Sequence, residues 1–409
     1  MSERIPITII GGGVVGCAIA YELSKISKKE IVLIEKNDRI AGENQSSRNS
    51  GVIHAGIYYQ KEIEPLKARF CVEGNEMLYR FCKKFEIPHK KTGKIIVAHN
   101  LEEEEYLDYI VQIALDNEVT GIKKINNKEV KRIEPNVDAK SALYIPTSGI
   151  IEPTQFVRKL HILAQSKGVL FLTKRNVIQV NPVKDLFEIV TTFMDTKEIF
   201  ETDILINASG LHSNEIARMV NIDNNYEVKF IRGESARFYK TRRKDISMNG
   251  LNVYPIPYGI YNDGKKAEVS LNDFKKLLKE KKIIKTVGTH LTPTFDFNNR
   301  NYEIGSTVTI GPIPTSVTDR EDYSSNIRSE EDYLDRVKSF FPELRLEDII
   351  LHQTGIQLKL KDQYDFVIKR DSRYFNCIHL IGIDSPGLTS SLAIARYISN
   401  LIKEDIKNI

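Results

Sequence analysis

The feature that most constrains this chain is an apolar run that ends on three spaced glycines. Ile5, Ile7, Ile9 and Ile10 form a nearly continuous apolar segment, as in a parallel strand buried on both faces. Gly11, Gly13 and Gly16 follow at once with the spacing Gly-x-Gly-x-x-Gly, and Val15, Ile19 and Leu23 then recur at helical spacing beside Ala18. A second apolar run, Ile31 to Ile34, ends on Glu35. Strand, glycine turn, helix, strand and terminal acid together make a dinucleotide-binding unit. Gly11 permits the tight turn, Gly13 lets a pyrophosphate approach the backbone, and Gly16 lets the helix pack close to the sheet. The helix N-terminus offers N–H groups and a positive dipole end to the phosphates. Glu35 can accept hydrogen bonds from a ribose diol and disfavours a 2′-phosphate, which argues against NADP. The unit by itself leaves FAD and NAD both open.

Composition narrows the remaining classes. The chain has 409 residues, enough for two or three domains. Lys plus Arg number 59 against 55 Asp plus Glu, a balance that does not point to nucleic acid as a partner. Cys17, Cys71, Cys82 and Cys377 show no C-x-x-C spacing and are read as reduced thiols of a cytosolic chain without a metal site. The uncharged stretch from Ile5 to Tyr21 is broken by Gly11 to Gly13, so neither a signal peptide nor a membrane span is expected there. A cytoplasmic protein is expected, free or peripheral to the inner face of a membrane.

The segment Asn44 to Tyr59 (NQSSRNSGVIHAGIYY) is polar, glycine-containing and ends in aromatics. Together with the N-terminal unit it resembles the D-amino-acid-oxidase superfamily of FAD-dependent oxidoreductases, and within it the L-2-hydroxyglutarate dehydrogenase or oxidase group. The likeness continues through Lys67 to Gly74, Gly93 to Ala98, Gly149 to Pro153, Ile204 to Ser213, Arg232 to Glu234, Tyr254 to Pro257, Gly288 to Pro293 and Gly382 to Ser390. It implies an α/β fold in which a Rossmann-like FAD-binding domain is assembled from separated segments. Residues 1–90, 150–215 and 345–409 would build that domain. Residues 91–149 and 216–344 would build an inserted substrate domain on a mixed or antiparallel sheet. The resemblance places FAD against Gly11, Gly13, Val14, Val15 and Gly16, then Glu35 and Lys36. The serine segment adds Ser46, Asn49, Ser50 and Gly51, and the middle of the chain adds Val177, Ala208 and Gly210. Pro386, Gly387, Leu388 and Thr389 close the set. The residues agree at that last point: Leu388, Leu392, Ala395, Ile398 and Ile402 share one helix face, and Ser385-Pro386-Gly387 marks its start. N–H groups there can meet negative charge developing on a reduced flavin.

The implied reaction is oxidation of a C–H bond next to a hydroxyl, less readily an amine, with hydride passing to flavin N5 while a base takes the heteroatom proton. A base that titrates near neutrality favours histidine. His54 and His290 lie in matching motifs, whereas His89, His99 and His161 do not. His54 has three readings: base, covalent flavin anchor, or hydrogen-bonding residue beside the ring. A substrate carboxylate calls for an arginine. Related sequences read Gly-Ile-Arg-Pro-Lys-Leu where this chain has Gly355-Ile356-Gln357-Leu358-Lys359-Leu360, so Gln357 replaces the clamp. Lys359 then remains for substrate or reduced flavin, with Arg232 and Tyr254 as further substrate contacts.

Residues 260–287 have no counterpart in the family pattern. Asp263-Gly264 reads as a turn, and Ser270 with Asp273 as a helix start. Phe274, Leu277, Leu278 and Ile284 then fall near one face, ringed by Lys275, Lys276, Lys279, Lys281, Lys282 and Lys285. Such a helix can dock on an anionic membrane to reach a quinone, or pack its apolar face on the substrate domain. The second reading is preferred, because Lys281 interrupts the stripe. Three function classes stand together at this stage. They are an FAD enzyme for a small 2-hydroxy acid, polyol phosphate or amine; an NAD-linked Rossmann enzyme; and a flavin-binding subunit without catalysis. Quinone and oxygen are both open as electron acceptors.

Overall fold

In the computed structural model, which describes residues 3–261, 265–298 and 301–409, the apolar runs become the centre of an eight-stranded sheet. β1 (Glu3–Ile10) lies between β2 (Ile31–Ile34) and the strand Thr196–Asn207, parallel to both. Leu170–Leu172 extends the sheet beyond β2, and Cys377–Ile381 pairs in parallel with Thr196–Asn207. Ile7, Ile9 and Leu33 face one side of the sheet, where they pack with α1 (Val14–Ile26) and the helix Gly387–Leu401. Ile10, Val32 and Ile34 face the other side, against Val180, Phe187 and Ile216. Both faces are covered, which is why these strands read as unbroken apolar runs.

The second sheet also has eight strands. We label five of them: β3 (Lys94–Ala98), β4 (Val228–Tyr239), β5 (Asn252–Tyr254), β6 (His290–Asn298) and β7 (Ile350–Leu360). Its pairings are antiparallel except β3 with β5, giving the mixed sheet expected of the inserted segments. One boundary differs from expectation. β7 does not join the cofactor-side sheet. It pairs with β4 along its length, Leu360 opposite Val228 and Gln357 opposite Ile231, so the chain returns to the first sheet only after Leu360.

The strands Tyr258–Tyr261, Lys266–Ala267 and Ile283–Thr286 form a small three-stranded sheet, with the helix Leu271–Lys279 packed on it. The Ser270 side chain caps that helix by accepting from the Asp273 N–H at 3.2 Å. Phe274 and Leu278 are each 2% exposed and pack with Ala267, Ile283 and Tyr106. The apolar face that a membrane helix would insert is therefore already buried in the protein. The helix stops at Lys279 and Lys281 takes a positive φ of 57°, so Ile284 and Lys285 sit on a strand, not on the helix stripe. The Asp263-Gly264 turn lies outside the described residues. Among those residues no helix is long and apolar enough to cross a membrane.

Candidate active site

A cavity of about 1200 Å³ runs from the carboxyl ends of β1 and β2 to the face of the second sheet. At its first end stands the glycine cradle. Gly11 has φ +109°, and a Cβ there would lie 2.4 Å from the Ala208 carbonyl oxygen. A Cβ on Gly16 would lie 1.9 Å from the Gly11 carbonyl oxygen, so Gly16 serves close packing and does not line the cavity. Gly13 is different: its backbone is unstrained and its Cβ position meets only Ser46 Oγ, at 3.3 Å. Nothing within the chain requires a glycine at 13, so the space beside it suits an external group. Val14 N–H donates to Ser46 Oγ at 2.9 Å, and Val14 and Val15 line the cavity.

Glu35 is 6% exposed, with Oε2 accepting from the Gly12 N–H at 2.7 Å and Oε1 from the Asn37 N–H at 2.9 Å. Burial raises its pKa against these hydrogen bonds. Lys36 stands nearby at the rim, with Glu321 at 3.2 Å and His212 at 3.0 Å. Asn49, Ser50, Val177, Ala208 and Gly210 also line the cavity. Gly51 does not: with φ +73° and a Cβ position 2.5 Å from the Ile151 carbonyl oxygen, it turns the serine segment. Pro386, Gly387 and Leu388 bring in the N-terminus of the last long helix, which has no side-chain cap among the described residues. Its first-turn N–H groups have no partner within the helix. Thr389 sits behind that turn, where its Oγ1 accepts the His54 N–H at 3.0 Å and so fixes the histidine's backbone. The open space at Gly13, the buried acid after β2 and two helix N-termini facing one cavity fit a dinucleotide whose pyrophosphate lies at the glycine turn.

The second end carries the titratable groups. His290 Nδ1–H donates to the Gly288 carbonyl at 3.0 Å, and its Nε2 is buried without a partner. Burial pushes this imidazole down to about 3, so it is neutral. Its ring stacks on Tyr254 with centroids 3.8 Å apart and planes 11° from parallel. His54 Nε2 is 3.3 Å from Ser385 Oγ, while its Nδ1 is buried and unpartnered. Burial, then the nearby Lys94 and His290, hold His54 well below its ordinary value. The fold thus brings together His54, His290 and Tyr254 from three distant segments.

Below the uncapped helix lies a charge cluster. Asp384 bridges Lys67, at 2.8 Å, and Lys359, at 2.5 Å, and Glu64 takes Lys285 at 2.8 Å. Burial alone would raise Asp384, but the two ammonium groups outweigh it and hold the carboxyl below its usual range. Gln357 and Lys359 lie on the cavity face of β7, as do Lys229 and Ile231 on β4. Arg232 points the other way, which corrects its reading as a substrate contact. It is 1% exposed, and its guanidinium is taken up by Glu234 and Asp322, each at 3.0 Å. Strand alternation decides this, because its neighbours at 231 and 233 line the cavity and it cannot.

Three residues of the site were missed in the sequence. Asp384 and Lys67 stand in motifs already noted, but only the fold shows them paired. Lys94 is 1% exposed and lies 3.8 Å from the Tyr254 ring centroid. A signal for it existed: Lys94 opens the strand Lys-Ile-Ile-Val-Ala, which is buried at every position.

The family model of FAD-dependent oxidoreductases (DAO) matches residues 6–401. The mitochondrial L-2-hydroxyglutarate dehydrogenase of Arabidopsis thaliana is 29% identical over 441 residues, covering 97% of this chain and 83% of that protein. A glycerol 3-phosphate dehydrogenase of Caloramator mitchellensis is 27% identical, with 98% of this chain and 75% of that protein covered. Among solved structures, dithionite-reduced L-α-glycerophosphate oxidase from Mycoplasma pneumoniae with FAD bound superposes with a TM-score of 0.81 at 24% identity, over 98% of this chain and 95% of that one.

Proposed function

The chain belongs to the DAO family of FAD-dependent oxidoreductases, and we propose that it oxidises the carbinol carbon of a small anionic 2-hydroxy acid of the L-2-hydroxyglutarate type. When bound, FAD takes the electron pair released from that carbon. The chain's own part is to hold the cofactor at Gly11 to Gly16, Glu35, Ser46 and the helix that starts at Gly387, and to manage one proton. The observation that carries the reading is the unpartnered Nε2 of His290 in the cavity wall. With Nδ1–H engaged by Gly288, Nε2 is left as the ring's acceptor for a substrate hydroxyl. A base held so low is weak in the empty site. An anionic substrate beside it raises its proton affinity, so binding itself arms the base. His54 is held by Thr389 and Ser385 on the side of the helix N-terminus, which suits orientation of the substrate or the cofactor ring.

A specific observation favours a second substrate, a polyol phosphate of the glycerol 3-phosphate type. Position 357 carries an amide, and Lys229 and Lys359 stand directly opposite each other on β4 and β7, both on the cavity face. Lysines serve a phosphate as point charges, whereas a carboxylate is better clamped by an arginine fork. Anaerobic mixing with L-2-hydroxyglutarate, D-2-hydroxyglutarate, L-lactate, glycerol 3-phosphate, glycine and L-proline tests both. Bleaching of the flavin band by L-2-hydroxyglutarate supports the first reading, and by glycerol 3-phosphate alone the second. Bleaching by glycine or proline alone refutes oxidation at a carbinol carbon.

A further inference from the structure

Lys94 opens β3, and the second sheet runs in the order β6, β5, β3. Val253 pairs with Leu291 and Tyr254 with Ile96, so Tyr254 is flanked by β6 on one side and β3 on the other. His290 covers the ring from the β6 flank, and the Lys94 ammonium meets it from the β3 flank at 3.8 Å from the centroid. A second ring, Tyr58, stands 5.3 Å from the same nitrogen. The titratable groups facing Lys94 are Tyr58 and His54 from the serine segment, Cys71 from the helix Pro65–Phe85, Tyr254 and His290. Among the described residues, no carboxylate forms an ion pair with it. A lysine buried without a carboxylate is expensive to keep, and a leucine or methionine would fill the same space without that cost.

We propose that Lys94 is a positioning residue for the base: packed on Tyr254 opposite His290, its ammonium adds to the burial that keeps the unpartnered Nε2 as an acceptor for the substrate proton. The proposal rests on the reading of His290 as the base. Two aromatic faces, Tyr58 and Tyr254, hold the ammonium by cation–π attraction. Burial is the main cause that holds both histidines low, and the Lys94 charge adds to it across the ring before substrate arrives. Burial pushes Lys94 itself down to about 7, so the constraint relaxes near neutrality as the lysine gives up its proton.

The test uses the full-length holoprotein with labelled histidines and lysines. His290 is identified as the resonance lost in His290→Asn. In Lys94→Met the His290 titration should rise by about one unit or more, a tenfold change in proton affinity. The acid limb of the flavin-reduction rate should move the same way, and Lys94→Arg should keep both near wild type. A folded Lys94→Met with unmoved histidine titrations overturns the proposal. If Lys94→Met does not fold, wild type still decides. A Lys94 side-chain signal that titrates near neutrality supports the proposal, and one that titrates above 10 like an exposed lysine overturns it. The histidine titrations need no substrate. An absence of carbinol oxidation would therefore count against the proposed reaction, and unmoved titrations against Lys94.

Discussion

Replacing Asp384 with asparagine removes a single charge and nearly no volume, at a point where two lysines converge. Lys67 is 5% exposed and Lys359 stands on the opposite oxygen. Burial pushes Lys67 down, but Asp384 and Glu64 more than offset this and leave it above its ordinary value. Without Asp384 the Lys67 ammonium is buried with Glu64 at 3.9 Å, a carboxylate it shares with Lys285, and with the weaker field of Asp365. Breaking a buried pair by removing one partner typically costs about 3–5 kcal/mol. The loss has a ceiling, because Lys67 can shed its proton instead. Neutralising a lysine of ordinary pKa at pH 7 costs about 5 kcal/mol. We therefore expect Asp384→Asn to lose about 3–5 kcal/mol by denaturant unfolding at pH 7.

The pH dependence gives the signs. Lys67 is raised in the folded state, so its contribution is complete below the unfolded lysine value and is lost as pH rises through the folded one. Asp384 is lowered, so its contribution is present above the unfolded carboxyl value near 3.8 and is lost as pH falls through the folded one. The deficit of Asp384→Asn should accordingly shrink at high pH, where Lys67 is neutral in both states, and vanish in strong acid, where the wild-type carboxyl is protonated. A variant within about 1 kcal/mol of wild type at pH 7 would refute the coupling.

Other outcomes follow from the same geometry. Gly13→Val should fold normally but purify colourless, since the Cβ space it fills lies beside the phosphate cradle; stoichiometric flavin in that variant would place the pyrophosphate elsewhere. His290→Ala should bind FAD normally but slow flavin reduction by about 10²-fold or more, and a wild-type single-turnover rate would remove His290 as the base. Gln357→Arg should shift preference toward 2-hydroxy dicarboxylates, measured as relative bleaching rates, and an unchanged substrate range would show that position 357 does not meet the substrate.

How much of this was legible in the sequence depends on how local each signal is. The cradle is contiguous: Gly11 to Glu35 spans one strand–helix–strand unit, so its spacing is set by chemistry within a single fold element. The far wall of the cavity is not contiguous. Lys94, Tyr254 and His290 come from three strands that only sheet order makes neighbours, and His54 and Asp384 reach the cavity from two further segments. The Arg232 error shows the limit of motif reading. A motif gives position along a strand, but the face follows from strict alternation once the register is known. Gln357 and Lys359 share the cavity face with Ile231 and Gly233, which leaves Arg232 no path to it.

The inserted segment makes the same point from the other direction. The preferred reading, an apolar face packed on the protein, agrees with the buried Phe274 and Leu278, but the segment goes further: Ile284, Lys285, Thr286 and Val287 line the cavity, and Lys285 pairs with Glu64 beside the Lys67–Asp384 cluster. The amphipathic pattern was real, but its apolar side chains answer to the hydrophobic core formed with Tyr106 and Ile283. Burying Phe274 and Leu278 there contributes roughly 1.5–3 kcal/mol each, and leaves those two side chains of the nine-residue helix unavailable to a membrane. The insertion is thereby held against the protein, and its last strand becomes part of the cavity wall that Gln357 also lines. Ile284 to Val287 and Gln357 line one cavity, so the insertion and position 357 meet the same bound molecule's space. Comparing substrates on Gln357→Arg alone therefore tests position 357 within a wall that the insertion also builds.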